Sequence, residues 1–296
     1  MVKLRRIVWS TLLIVSVLSF WGTAYGQKRE PDVRFVPTPM EVVMEMLKTA
    51  RVTQNDVIYD LGCGDGRIVI TAAKLFGARG MGVDIDPVRI QESSDNARKA
   101  GVSERVKFIE QDLFTLNLSE PTVVTLYLLS DLNLKLRPKL FRELRPGTRI
   151  VSHEFNMFDW RPDYVGVVPK VEIYYNAKVP DVRDSHFYYW VIPANVAGEW
   201  RWTLPTSTGE QNYTLRVVQK FQTVSGKVTV DGRETPISDA QLLGDQLSFT
   251  LRDEASRENT AMRFHGRMSG DTMNGTVDIR GRPSGVIYNW TATRKP

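Results

Sequence analysis

The chain has one cysteine, Cys63, and three histidines among its 296 residues. A single thiol excludes an internal disulfide framework and a zinc site built on several thiolates. So few histidines leave little for a histidine-built metal centre, and no metal site is expected. No apolar run reaches the roughly 20 residues that a spanning helix needs, so no permanent membrane span is expected. Internal repeats and low-complexity tracts are missing too. What is present is an ordinary globular balance, 42% hydrophobic and 25% charged, which excludes a disordered or collagenous chain. At about 100–200 residues per domain, the length calls for two domains.

Residues 1–26 read as a secretory signal peptide. Lys3, Arg5 and Arg6 precede a mostly apolar stretch from Ile7 to Trp21, and Gly22-Thr-Ala-Tyr-Gly26 offers small residues for cleavage after Gly26 or Ala24. Cys63 lies too far downstream for lipoprotein attachment. The mature protein is therefore expected outside the cytoplasm, periplasmic or extracellular. The formal charge of +5 belongs mostly to this leader: removing its three basic residues leaves 36 Lys and Arg against 34 Asp and Glu. No dense basic stripe with interleaved aromatics remains, so a nucleic-acid partner is not expected.

From residue 35 to 150, helical and strand-like patterns alternate. Helical spacing runs over Pro39–Ala50, with Thr38 as N-cap, over Ile68–Phe76, from Asp86-Pro87 to Gly101, and from about Leu134 to Leu144. Between these lie the short strands Val57–Leu61, Gly80–Val83, Val106–Ile109, Thr122–Leu129 and Arg149–Ser152. Such alternation predicts βαβ units and a parallel sheet buried on both faces. Val171–Ala177 and Phe187–Ile192 read as two late strands of the same sheet, an antiparallel pair. From Ala197 the helical period vanishes. Short alternating stretches follow, at Tyr213–Val218, Gly226–Val230, Gln246–Leu251 and Thr276–Ile279, separated by turns such as Asp231-Gly232 and Gly270-Asp271. They predict an antiparallel β module, a small barrel or sandwich, over residues 196–296, after an α/β domain over 27–195.

The segment Asp60-Leu-Gly62-Cys-Gly64-Asp-Gly66-Arg67 follows the first strand and precedes a helix, at the sheet edge where open α/β folds bind ligands. Alternate glycines let backbone N–H groups approach a ligand closely. A phosphate-binding P-loop would end in Gly-Lys-Ser/Thr, and Gly66-Arg67-Ile68 does not. A dinucleotide fingerprint needs a glycine where Arg67 stands. Asp60 would repel a pyrophosphate and attract an α-amino group. Asp86 reads as a helix cap and Cys63 as a small filler between glycines.

These residues resemble the first motif of class I S-adenosylmethionine-dependent methyltransferases, an acidic residue followed by Gly-x-Gly-x-Gly. Gly82-Val-Asp84 and Gln111-Asp112-Leu113 match two further motifs in order. The resemblance implies a Rossmann-like, seven-stranded sheet and S-adenosylmethionine as cofactor. It implies that Asp84, followed by Ile85, accepts hydrogen bonds from the ribose hydroxyls, and that Asp112 takes the adenine amino group with Leu113 packed near the ring. Over residues 35–155 the chain is more closely similar to the protein-lysine methyltransferases related to the mitochondrial ATP synthase c-subunit enzyme. In that family a segment like Phe35-Val-Pro37-Thr38 lies before the cofactor motif and helps enclose the site, which adds Thr38 to the cofactor-binding set with Asp60, Gly62, Cys63, Gly64 and Gly66.

The resemblance makes a protein lysine the preferred acceptor; Leu126-Tyr-Leu-Leu-Ser-Asp131 lacks the Asn/Asp-Pro-Pro-Tyr/Phe of amino-adenine and glutamine N-methyltransferases. Tyr127, Asp131 and His153 are the candidate catalytic residues at the sheet edge, with Glu154 beside them and Tyr127 preferred as a lining residue. A small-molecule acceptor, or a non-catalytic protein acting through its β module, are the alternatives, and a nucleotide-dependent oxidoreductase is a third. In the β module, Gly198-Glu-Trp200-Arg-Trp202 near the start and Arg294 near the end resemble lipocalin-like barrels, in which an early tryptophan and a late arginine stack and close one end.

Overall fold

The structure is a computed structural model that describes residues 30–175, 179–206, 209–252, 261–280 and 286–295. The segment read as a leader and Ala177 lie outside these residues. Among the described residues no helix is long and apolar enough to cross a membrane.

Five strands, β1 (Val57–Leu61), β2 (Arg79–Asp84), β3 (Val106–Glu110), β4 (Val123–Leu126) and β5 (Arg149–His153), run parallel. Two more, β6 (Tyr164–Ile173) and β7 (Asp181–Val191), add antiparallel pairings and complete the order β3-β2-β1-β4-β5-β7-β6. The order reverses between β1 and β4, which opens a crevice at their carboxyl ends. Helices cover both faces because these strands carry apolar side chains on both. On one face α1 (Met40–Thr49) lays Val42, Val43, Met46 and Leu47 against Ile58, Val123 and Val151. Helix α2 (Arg67–Phe76) adds Ile68 and Ala72 there, while its Val69 packs with Ala97 of α3 (Pro87–Ala100). On the opposite face α4 (Ser130–Glu143) packs Leu132, Leu136 and Leu140 over Leu61, Val124 and Ile150.

Three local expectations are corrected. Thr38 does not cap α1: Pro39 holds the cap position without a side-chain bond, and the Thr38 hydroxyl lies 3.2 Å from His153 Nδ1. Strand β4 stops at Leu126, because the apolar run to Leu129 turns over the sheet edge and enters α4 four residues earlier than its leucine spacing suggests. The two late strands start earlier than read, with a bulge between Val168 and Val171 of β6. There Pro169 has no N–H to donate, and Lys170 has φ of +53°. Asp86 does cap α3, accepting from Val88 N at 2.9 Å, and Pro87 follows as its first residue.

The second half is a closed antiparallel barrel of eight strands, so the choice between barrel and sandwich falls to the barrel. They are β8 (Gly198–Thr206), β9 (Gly209–Lys220), β10 (Thr223–Val230), β11 (Arg233–Leu243), β12 (Gln246–Arg252), β13 (Ala261–Ser269), β14 (Thr272–Arg280) and β15 (Val286–Arg294), with β15 pairing back onto β8. Its interior is filled by Trp202, Phe249, Phe264 and Trp290, whose rings lie 4.8–6.5 Å apart. The Arg294 guanidinium lies 4.5 Å over the Trp200 ring, the stacked pair expected at one end. The barrel meets the sheet where Phe221 packs on Phe141 and Trp160, and where Trp160 Nε1 donates to Gln222 Oε1 at 2.8 Å. Gly244 also abuts Gly147, just before β5. That contact lies at the amino ends of the strands, away from the crevice.

Candidate active site

Every described residue that lines the crevice falls between Pro31 and Leu132. Its floor is the turn from β1 to α2. Gly64 and Gly66 sit at φ of +52° and +78°, where any side chain is strained. A Cβ on Gly64 would come within 2.1 Å of the Phe35 ring, and one on Gly66 within 2.7 Å of Phe108. Gly64 and Gly66 therefore create the turn and admit the Phe35 and Phe108 rings packed on it, and of the three glycines Gly62 is the one that lines the crevice. Gly62 N and Cys63 N donate to Val83 O at 2.8 and 3.0 Å, which ties the turn to β2. Cys63 is buried, and burial together with the Asp60 and Asp84 charges pushes its thiol well above the usual range. It is a filler here and no nucleophile.

Among the described residues, six aspartates and three arginines line the crevice. Arg67 is already committed: its Nε donates to both Asp65 oxygens at 3.0 Å, and its Nη1 donates to Thr38 O at 2.9 Å. The surplus is negative, which suits a cationic ligand and opposes a pyrophosphate. Asp60 is fully buried and accepts from Thr125 Oγ1 at 2.7 Å. Burial, reinforced by the neighbouring Asp84 and Asp65 charges, raises its carboxyl to about 7. A ligand ammonium beside it would restore ionisation. Asp84 Oδ2 accepts from Gly64 N at 2.9 Å and Oδ1 from Asp86 N at 3.0 Å. Each oxygen keeps a second lone-pair direction, so the carboxylate is fixed in place and still able to accept from two hydroxyls. Asp112, Leu113 and Ile85 line the adjoining wall, with the Asp112 carboxylate also accepting from Phe114 N at 2.9 Å. These residues fit a sulfonium nucleoside with an amino-acid tail: an anion for the tail, one for the sugar and one for the base edge.

Of the candidate catalytic residues, the structure brings only Tyr127 to the crevice. Its ring is half-buried, 4.0 Å from the His153 ring and 6.1 Å from Phe155. Burial first, then Tyr175 and the Glu154 charge, push its hydroxyl above the usual tyrosine range, so it stays a neutral donor. Asp131 stands exposed on the first turn of α4 and does not line the crevice. His153 is corrected as well. It does not line the crevice, has no exposed surface, and its ring nitrogens contact Thr38 Oγ1 at 3.2 Å and Ser185 Oγ at 2.7 Å. Burial, with a smaller push from Arg183, lowers it to about 3. It is neutral, sealed off and unable to serve as a base for an acceptor.

Phe35, in the segment expected to enclose the site, lines the crevice, as does Gln111 of the third motif; Arg89, to which sequence reasoning gave no role, lines it too. Phe35 is held by Arg89, whose guanidinium lies 4.9 Å from the ring centre. The signal at Arg89 was only a basic residue in the first turn of α3.

The ANTKMT methyltransferase domain family matches residues 60–164. The chain is 51% identical over 136 residues to a protein-lysine N-methyltransferase of Saccharolobus islandicus, covering 46% of this chain and 84% of that protein. It is 33% identical over 137 residues to the human lysine N-methyltransferase of the ATP synthase c-subunit, covering 46% of this chain and 58% of the human protein. Among solved structures, it is similar to an RNA methyltransferase from Salinibacter ruber in complex with S-adenosyl-L-homocysteine, at 48% identity and TM-score 0.48, covering 54% of this chain and 96% of that one.

Proposed function

This chain belongs to the family of S-adenosylmethionine-dependent methyltransferases that includes the archaeal protein-lysine N-methyltransferase, and from that premise we propose that it methylates the side-chain amine of a lysine in a protein. The observation that carries the reading is the set of aspartates in one crevice, buried Asp60 at the floor and fixed Asp84 and Asp112 on the walls, with Tyr127 at the open side. Asp60 would hold the α-amino group of the cofactor, Asp84 the ribose and Asp112 the adenine amino group, with Ile85 and Leu113 against the ring. The cofactor supplies an activated methyl on a sulfonium. The chain's own residues then have to align and desolvate the acceptor.

A lysine starts near pKa 10.4, so presenting it neutral at pH 7 costs about 4.6 kcal/mol at 1.36 kcal/mol per unit. The Tyr127 ring at the crevice, with the Phe155 ring 6.1 Å from it, would favour the neutral amine by desolvation. His153 and Asp131 do not line the crevice, so neither takes the proton of the acceptor. The weak net charge without the leader supports a protein rather than a nucleic-acid acceptor. The export reading rests on the basic and apolar pattern of residues 1–26, and amino-terminal sequencing of the protein from its source cells tests it, with a start at Gln27 or Tyr25 expected. The acceptor is tested by incubating a source-cell extract with the enzyme and methyl-labelled cofactor. Label on a lysine side chain supports the reading; label confined to RNA or to small molecules overturns it.

A further inference from the structure

We infer that His153 is a positioning residue: its imidazole joins the segment carrying Thr38 to the Ser185–Glu154 pair and backs the Tyr127 ring, so that closure over the cofactor crevice and the shape of the acceptor approach are set together. The inference rests on the methyltransferase reading and extends it to groups outside the crevice.

The direction of each proton follows from what each partner can do. Glu154 is paired with Arg183, whose Nη1 lies 3.3 Å from Oε2, so its carboxylate only accepts. Ser185 Oγ lies 2.6 Å from Glu154 Oε1 and must donate there. Its lone pair then receives the proton of His153 Nε2, 2.7 Å away. That leaves Nδ1 bare, and the Thr38 hydroxyl, 3.2 Å away, donates to it. Every link has one permitted direction, and the imidazole is the neutral Nε2–H tautomer. Glu154 holds its end of the chain at φ of +60° and is pinned further by His186 N at 3.1 Å.

Thr38 is thereby held twice. Its carbonyl is held by Arg67, which Asp65 fixes within the glycine turn, and its hydroxyl is held by His153. The residues before it, Pro31 to Pro37, line the crevice, and Phe35 covers Gly64. The same imidazole lies 4.0 Å from the Tyr127 ring. Loss of either hydroxyl should therefore loosen the covering segment and let Tyr127 shift.

A double-mutant cycle on the full chain tests this. Thr38 and Ser185 meet opposite nitrogens of one ring, so a relay couples them. Titrating S-adenosylmethionine into Thr38→Val and Ser185→Ala should show about tenfold weaker binding in each, the scale of one buried hydrogen bond. The double variant should be no weaker than the worse single variant, and Thr38→Ser and Ser185→Thr should restore affinity. The nitrogen-15 spectrum of wild-type His153 requires no variant to fold, and should show one protonated and one bare ring nitrogen at pH 7. Losses that multiply to about a hundredfold, singles that bind like wild type, or a doubly protonated ring would each overturn the inference. A wild-type chain that binds no S-adenosylmethionine would instead overturn the functional reading, and this inference with it.

Discussion

Asp60 gives the sharpest test of the cofactor site, because its ionisation is opposed by the fold and favoured by the ligand. Its carboxyl rises from 3.8 to about 7 through burial and through the Asp84 and Asp65 charges. A shift of about three units corresponds to about 4 kcal/mol at 1.36 kcal/mol per unit. Because the folded value is raised, this contribution to stability is fully present below pH 3.8 and is lost as pH rises through about 7. An ammonium beside Asp60 reverses the balance by favouring the charged form. Binding then requires deprotonation of the free protein below pH 7, and the Kd for S-adenosylmethionine should improve about tenfold per pH unit between 5 and 7 before levelling. Above about pH 8 the ligand's own α-amino group begins to lose its proton and affinity should fall again. The substitution Asp60→Asn keeps an oxygen for the Thr125 hydroxyl and removes the charge. It should abolish the slope, weaken binding at pH 7.5 by at least about tenfold, and leave the free protein as stable as wild type or more so at pH 8. Isothermal titration in a buffer series, with thermal melts at pH 5 and 8, measures all three. A wild-type Kd flat from pH 5 to 7, or a slope surviving in Asp60→Asn, would refute the placement of the ammonium at Asp60.

Other perturbations reach different parts of the molecule. Replacing Asp84 with Ala frees Gly64 N and Asp86 N and removes the charged acceptor, so titration should show cofactor affinity at least about tenfold lower, at about 1.5–3 kcal/mol per bond to a charged group. Gly64→Ala would place a methyl 2.1 Å from the Phe35 ring at a positive φ; circular dichroism should report an intact fold while cofactor binding becomes too weak to titrate. Truncating Phe221 to Ala empties the junction among Phe141, Trp160 and the Arg137 side chain. Urea unfolding should register a loss of about 2 kcal/mol, half of a fully buried phenylalanine deletion. Cofactor affinity should hardly change, since the junction lies at the far ends of the strands.

The first half of the fold was legible because its signals are local. Glycine at positive φ, a proline at the first helical position after an aspartate cap, and apolar runs of strand length each act within a few residues of themselves. The barrel was harder. Strand β13 alternates Arg263, His265 and Arg267 outward with Met262, Phe264, Gly266 and Met268 inward, and the glycine breaks its apolar face at the centre. Strand β11 contains Pro236 and a register shift between Ser238 and Gln241, with Asp239 at φ of +52°, so its alternation is interrupted. Both are strands because closure pairs them on each side, a constraint that no window along the chain contains.

The sequence by itself determined the cofactor turn, since the spacing of Asp60, Gly62, Gly64 and Gly66 acts through backbone angles and one short-range charge. It also placed Asp84 and Asp112 at the ends of successive strands, where a parallel sheet must deliver them to one edge. Tertiary structure decided the fate of His153, because the residues that seal it come from positions 38 and 185 and neither is its neighbour in the chain. Burial and ionisation depend on what the rest of the fold brings near a group. For that reason a histidine read as a catalytic candidate at the sheet edge became a neutral bridge, and the motif aspartate Asp60 became a carboxyl that burial holds protonated up to about 7.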